Sequence, residues 1–176
     1  MTTTAQTFTA RPITPGALAE LRVSDDAGRP TTAFTDDEGG APLRCCLRHS
    51  TPGERIALVS YAPLRRRAAE TGTDPGAYDE QGPVFVHADP CPGPGTDRDG
   101  GALPFTNAHR TVRRYSAEGR ILGGRLVADP SPQAFARALR EAFDDPAVAF
   151  VHVRAVEYGC FLYEVTAEVT REVTGR

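Results

Sequence analysis

The sequence predicts an α+β fold with a mainly antiparallel sheet, one amphipathic helix at about 131–144 on one face, and long Pro/Gly loops. Three observations carry this. Short apolar runs that alternate or cluster like strands recur along the chain and pair into hairpins. One segment alone has sustained helical periodicity. No regular strand–helix–strand alternation, which would call for a parallel sheet, is present.

The elements follow in order. Residues 1–10 are small and polar and read as a flexible tail, followed by a single domain over 11–170 and a second tail at 171–176. "ITPGALAEL" offers a short helix led by Pro15, with Leu18 and Leu21 as its apolar residues. The stretch 34–54 is loop-like, broken by Gly39-Gly40 and Pro52-Gly53. "RIALVSY" (55–61) alternates and reads as a strand buried on both sides near its middle. Residues 64–81 form a polar excursion with at most one helical turn. "GPVFVHA" then gives a second strand.

Residues 89–109 form a Pro/Gly-rich loop of a length uncommon in compact domains. "RTVRRYS" and "RILGGRLVA" read as a hairpin about Glu118-Gly119. In "SPQAFARALREAFDDP", Ser131 caps, Pro132 starts the first turn, and Phe135, Ala138, Leu139, Ala142 and Phe143 make one stripe. "VAFVHVRAV" and "CFLYEVTAEV" form the terminal hairpin about Glu157-Tyr158-Gly159.

Composition removes several function classes. Of 176 residues, 40% are hydrophobic and 24% charged, the profile of one globular unit with a real core. The net charge of −3 gives no case for a nucleic-acid partner or an anionic membrane surface. No apolar run is long enough to span a bilayer. The N-terminus lacks the basic and apolar regions of a secretory signal, so a cytoplasmic location is expected. All 20 basic residues are arginine, which excludes Schiff-base and pyridoxal-phosphate lysines and the Walker phosphate loop. The Gly-x-Ser-x-Gly elbow, the His-Glu-x-x-His helix and the dinucleotide glycine motif are also absent.

Period-two geometry selects the candidate site residues. Phe150, His152 and Arg154 share one face of their strand, and Phe85 and His87 share one face of theirs. If the helix covers the opposite, small aliphatic face, the His152 face either lines a cleft or stays open as sheet surface. In a cleft, His152 and His87 are the expected acid–base residues, with Cys160 a third catalytic candidate near His152 across the terminal hairpin; the alternative for Cys160 is a small buried apolar residue. Arg44, Arg154 and Tyr78 are the expected substrate-binding residues, the arginines holding an anionic group. Arg65-Arg66-Arg67 and Arg113-Arg114 read as solvated faces.

No metal ligand set and no cofactor are expected. Cys45 and Cys46 are adjacent and point apart in extended chain, no Cys-x-x-Cys exists, and the spacings His87-x3-Cys91 and Cys46-x2-His49, with His109 beyond, are looser than structural zinc sites use.

Four blocks together resemble the bacterial domain-of-unknown-function family DUF1203: "PLRCCLRHSTPGE", "LVSY", "YDEQGPVFVHADPC" and "AFVHVRAVEYGCFLYEV", spanning about residues 42–166. Arg44, Cys46 and Arg48 fall on that family's Pro-Cys-Arg-x-Cys-Leu-Arg block. Leu43 stands where its first cysteine is usual, and Cys45 fills the variable place, so a role resting on that first cysteine is not expected here. Tyr78, Gly82, Pro83, His87, Cys91, His152, Gly159 and Cys160 also match. The resemblance implies no reaction; it singles out Arg44, Tyr78, His87, His152 and Cys160.

The expected function is the handling of a small anionic metabolite, as an accessory metabolic enzyme with a His/Arg cleft. The alternatives are a non-catalytic ligand binder and a protein-interaction module using loop 89–109. The expected partner is a small molecule, with neither nucleic acid nor membrane.

Overall fold

A computed structural model describes residues 4–95 and 103–171. The elements are, in chain order, β1 (Thr4–Arg11), α1 (Pro15–Leu21), β2 (Ala33–Asp36), β3 (Pro42–Leu43), β4 (Arg48–His49), β5 (Glu54–Tyr61), α2 (Pro63–Thr71), β6 (Gly82–His87), β7 (Arg110–Tyr115), β8 (Ile121–Val127), α3 (Pro132–Phe143), β9 (Phe150–Ala155) and β10 (Phe161–Arg171). The strands form two five-stranded sheets, ordered β1-β10-β9-β7-β8 and β2-β5-β6-β3-β4. Every pairing is antiparallel except β3 with β6.

The class is therefore α+β and strand-dominated; the described residues hold two sheets where one was expected, and three helices, α2 added to the short Pro15-led helix and the amphipathic one that were expected. Thr4–Ala10, expected as tail, belongs with Arg11 to the edge strand β1, paired with β10 from Thr4↔Arg171 to Arg11↔Glu164. Its alternation of Thr with Phe8 and Ala10 suits that place; both apolar residues pack on the core. Residues 172–176, the rest of the other expected tail, and 96–102 of the long loop lie outside the described residues.

α3 forms where its periodicity puts it. Ser131 accepts from the Ala134 N–H at 3.2 Å, and Pro132 gives up no helical hydrogen bond in the first turn. Ala134, Phe135, Ala138, Leu139 and Ala142 are buried against Val112, Val151, Val153, Tyr163 and Val165. Phe135 and Leu139 each gain about 2–3 kcal/mol from that burial.

α2 occupies the polar excursion. Pro63 opens it and Gly72, at φ 72°, ends it in the left-handed conformation that glycine adopts freely. Its Leu64 packs with Tyr115 and Phe150, and its Arg67 guanidinium lies 3.9 Å from the Phe150 ring centroid. α2 thus covers the face of β9 that carries Phe150 and His152. At Phe150 and His152 that face is neither open surface nor a cleft, whereas Arg154, farther along it, lines a cavity. α2 missed detection as a helix because Arg65-Arg66-Arg67 breaks the apolar stripe, and the burial is done largely by Pro63 and Leu64.

The second sheet builds its own core from Leu43, Ile56, Ala57, Val59, Val84 and Val86, closed by Leu18 and Leu21 of α1. Arg44 joins the two sheets: its Nε donates to the Phe161 carbonyl of β10 at 2.8 Å, while its own N–H bonds the Phe85 carbonyl of β6 at 2.9 Å. Among the described residues, no helix is long and apolar enough to cross a membrane.

Candidate functional site

β3 runs parallel to β6 with Leu43 opposite Phe85, so the chain after Leu43 passes the end of β6, where His87 stands. Instead of continuing extended, it turns. The Leu47 N–H bonds the Leu43 carbonyl at 2.9 Å, and Leu47 takes a left-handed φ of 56°. Inside this turn Cys45 and Cys46 no longer point apart: their sulfurs are 4.0 Å from each other. Cys91 arrives from the loop after β6.

Four ligand-bearing side chains thereby converge. His87 Nδ1 lies 3.2 Å from Cys45 Sγ and 3.8 Å from Cys46 Sγ. The His87 backbone N–H also points at Cys45 Sγ, at 3.2 Å. Cys45 Sγ, a His87 ring nitrogen and Cys91 Sγ all lie within 4.8 Å of one another. For a tetrahedral zinc-class ion with about 2.3 Å bonds to sulfur and 2.05 Å to nitrogen, the ligand–ligand edges are about 3.8 Å and 3.6 Å. The two His87–sulfur distances bracket the nitrogen–sulfur value, and the Cys45–Cys46 separation lies just above the sulfur–sulfur one. Cys45 and Cys46 are buried and Cys91 is half-buried, so the group is reached from one side.

Charged residues frame the ring's other nitrogen. Glu54 Oε1 is 3.5 Å and Arg48 Nη2 3.3 Å from His87 Nε2, and Arg48 Nη2 donates to the same Glu54 oxygen at 2.5 Å. The Arg48 hydrogen bonds and the Thr51 N–H hold the Glu54 pKa down to about 2, so it is a carboxylate at any working pH. Of the two adjacent thiols, Cys46 ionises first. The Cys45 thiol donates to it, the Arg48 backbone N–H and the Arg48 charge add, and against burial its pKa falls below an ordinary thiol's. Cys45, donor in that bond and buried, is held protonated, its pKa raised far above an ordinary thiol's.

The expected site residues do not form one site. His87 belongs to this cluster. His152 is 1% exposed, enclosed by the rings of Tyr115, Phe150 and Phe161, with Glu164 Oε2 3.7 Å from its Nε2. Burial lowers its pKa, Glu164 opposing, and its Nδ1 has no hydrogen-bond partner among the described residues. Arg44 is buried and bonded to the carbonyls of Phe161 and Pro42. Arg154 and Cys160 share a different cavity, with Arg154 Nη1 on Glu80 Oε1 at 2.6 Å. Tyr78 stands 40% exposed in the short turn Gly76–Tyr78. His49 packs its ring against Phe105, and His109 is exposed.

Sequence reasoning did not foresee Cys45, Glu54 and Arg48 at this centre. The pairs His87-x3-Cys91 and Cys45-Cys46 were its visible signals; nothing local in the sequence brings the second pair to the first. A family model described as a protein of unknown function, DUF1203, matches residues 40–167, which include all six of these residues. The chain belongs to the DUF1203 family. No curated protein and no solved structure is detectably similar to it. The Cys/His cluster of this DUF1203 member is thus read from its own geometry alone.

Proposed function

We propose that this DUF1203 protein is a metal-binding protein whose Cys45–Cys46–His87–Cys91 centre takes a soft divalent ion of the zinc class. One observation carries the reading: two thiols and an imidazole nitrogen from separate parts of the chain lie within 4.8 Å of one another. Thiolate and imidazole ligands select zinc and its neighbours over magnesium or calcium. Cys46, whose Sγ is 3.8 Å from His87 Nδ1 and 4.0 Å from Cys45 Sγ, is the nearest candidate for a fourth ligand. Four protein ligands close the coordination sphere, which suits holding or carrying the ion better than activating a water on it. Glu54 beside His87 Nε2 supports the reading further, since ligating histidines commonly donate their second N–H to a carboxylate.

The test is elemental analysis of protein purified without chelator or affinity metal, alongside Cys91→Ser and His87→Gln. Near one equivalent of zinc in the parent protein, and little in either variant, supports the proposal. A metal-free parent that also fails to take up added zinc removes it.

A further inference from the structure

We propose a second site, independent of the metal centre: the cavity of about 200 Å³ beside Arg154 and Cys160 binds a small anion, a carboxylate or phosphate group. It opens between the start of β6 and the β9–β10 turn, with Tyr61, Pro63 and Phe161 as apolar wall and Arg154, Glu80 and Cys160 among its polar lining.

The argument is one of charge and of free donors. Glu80 Oε1 accepts from Arg113 Nη1 at 2.7 Å and from Arg154 Nη1 at 2.6 Å, so one carboxylate serves two guanidiniums. Arg154 spends its Nε on the Gly159 carbonyl at 2.9 Å, and its Nη2 has no protein acceptor among the described residues. Behind the cavity wall, buried Arg44 gives its hydrogen bonds to the carbonyls of Phe161 and Pro42 and has no acidic partner among the described residues. Glu157, in the same turn, pairs with Arg110 at 3.8 Å. Three guanidinium charges thus stand near the cavity against the one carboxylate of Glu80. A half-enclosed, partly apolar space holding that excess attracts an anion, and a planar guanidinium edge suits carboxylate or phosphate oxygens. The half-buried thiol of Cys160, whose Sγ lies 3.6 Å from the Tyr158 carbonyl, is a reporter placed in the wall.

The experiment compares alkylation of Cys160 by iodoacetate and by iodoacetamide, read at that residue by peptide mass spectrometry. In both reactions the sulfur attacks the methylene carbon and iodide leaves, so the reagents differ chiefly in charge. Relative to glutathione, the rate ratio of iodoacetate to iodoacetamide should be raised about threefold or more in the parent protein. It should fall toward the glutathione value in Arg154→Gln, hold in Arg154→Lys, and rise further in Glu80→Gln. Inorganic phosphate and succinate should protect Cys160 saturably. The Glu80 variant guards against misfolding, because general damage would not raise the preference for the charged reagent. A ratio equal to glutathione's in the parent and unmoved by Glu80→Gln overturns the proposal, as does the absence of protection by either anion. Metal content at the other centre is unaffected by any of these outcomes, so the two proposals fail separately.

Discussion

His87 turns Nδ1 toward Cys45 Sγ at 3.2 Å and leaves Nε2 facing Glu54 Oε1 at 3.5 Å. The ring is therefore divided between a thiol cluster and a carboxylate. An N–H donated from Nε2 to Glu54 puts the lone pair on Nδ1, on the side of the sulfurs. Arg48 competes for the same carboxylate oxygen, so Glu54 both orients the ring and is itself oriented. Glu54→Gln should keep all four ligands yet weaken zinc binding about 10- to 100-fold, the usual effect of removing such a partner. Competition against a chromophoric chelator measures this, and an unchanged affinity would detach Glu54 from the centre.

The two adjacent cysteines differ in protonation. Cys46, its pKa lowered by the Cys45 thiol that donates to it, ionises first, while Cys45 keeps its proton. A metal binds thiolate, so loading the centre must expel the Cys45 proton. Zinc added to weakly buffered protein should release protons, read with a pH indicator, and Cys45→Ser should release about one fewer. Equal release by both would mean that Cys45 is not a ligand.

Arg44 ties the end of β3 to β10 through the Phe161 carbonyl, and its burial leaves it charged, with a pKa lowered to about 10. Arg44→Met strands two inward carbonyls and should cost about 3 kcal/mol in urea unfolding. Arg44→Lys should recover part of that. A loss below about 0.5 kcal/mol in the Met variant would show that the guanidinium is not the joint between the sheets.

His152 makes stability depend on pH. Its folded pKa lies below the ordinary 6.5, because burial outweighs the pull of Glu164. The unfolded chain therefore binds a proton that the folded chain refuses, and stability falls as pH drops below about 6.5, approaching 1.4 kcal/mol per unit. Glu164, also lowered, acts in the same direction only below its ordinary value of 4.5. His152→Leu should flatten the curve between pH 6.5 and 5. Thermal melts across that range test it, and parallel slopes for parent and variant would contradict it.

Much of the sheet framework was legible, because apolar strand runs stand out in Glu54–Tyr61, Gly82–His87 and the terminal hairpin, and Ser131-Pro132 marks the start of α3, although Leu58, expected buried mid-strand, is exposed. What stayed hidden depends on contacts remote in sequence. β3 and β4 are two residues each and exist only as ladder partners of β6 and of each other. α2 was obscured by its arginines, one of which packs on Phe150 rather than facing water. The alternation of β9 did group Phe150 with His152, but it carried no sign that α2, Tyr115 and Phe161 close over them. At the candidate site, the sequence displays His87 and Cys91 four residues apart. It conceals the left-handed Leu47, whose backbone turn brings the Cys45 and Cys46 sulfurs to the same side.

The most direct test of the metal centre is a cobalt(II) titration of the metal-free protein followed by visible absorption. Tetrahedral thiolate ligation predicts intense mid-visible bands and sulfur-to-cobalt charge transfer in the near ultraviolet, saturating at one equivalent and displaced by zinc. Both features should be lost in His87→Gln combined with Cys91→Ser. Weak, octahedral-type absorption that does not saturate, or an identical spectrum from the double variant, would contradict a Cys45–Cys46–His87–Cys91 site.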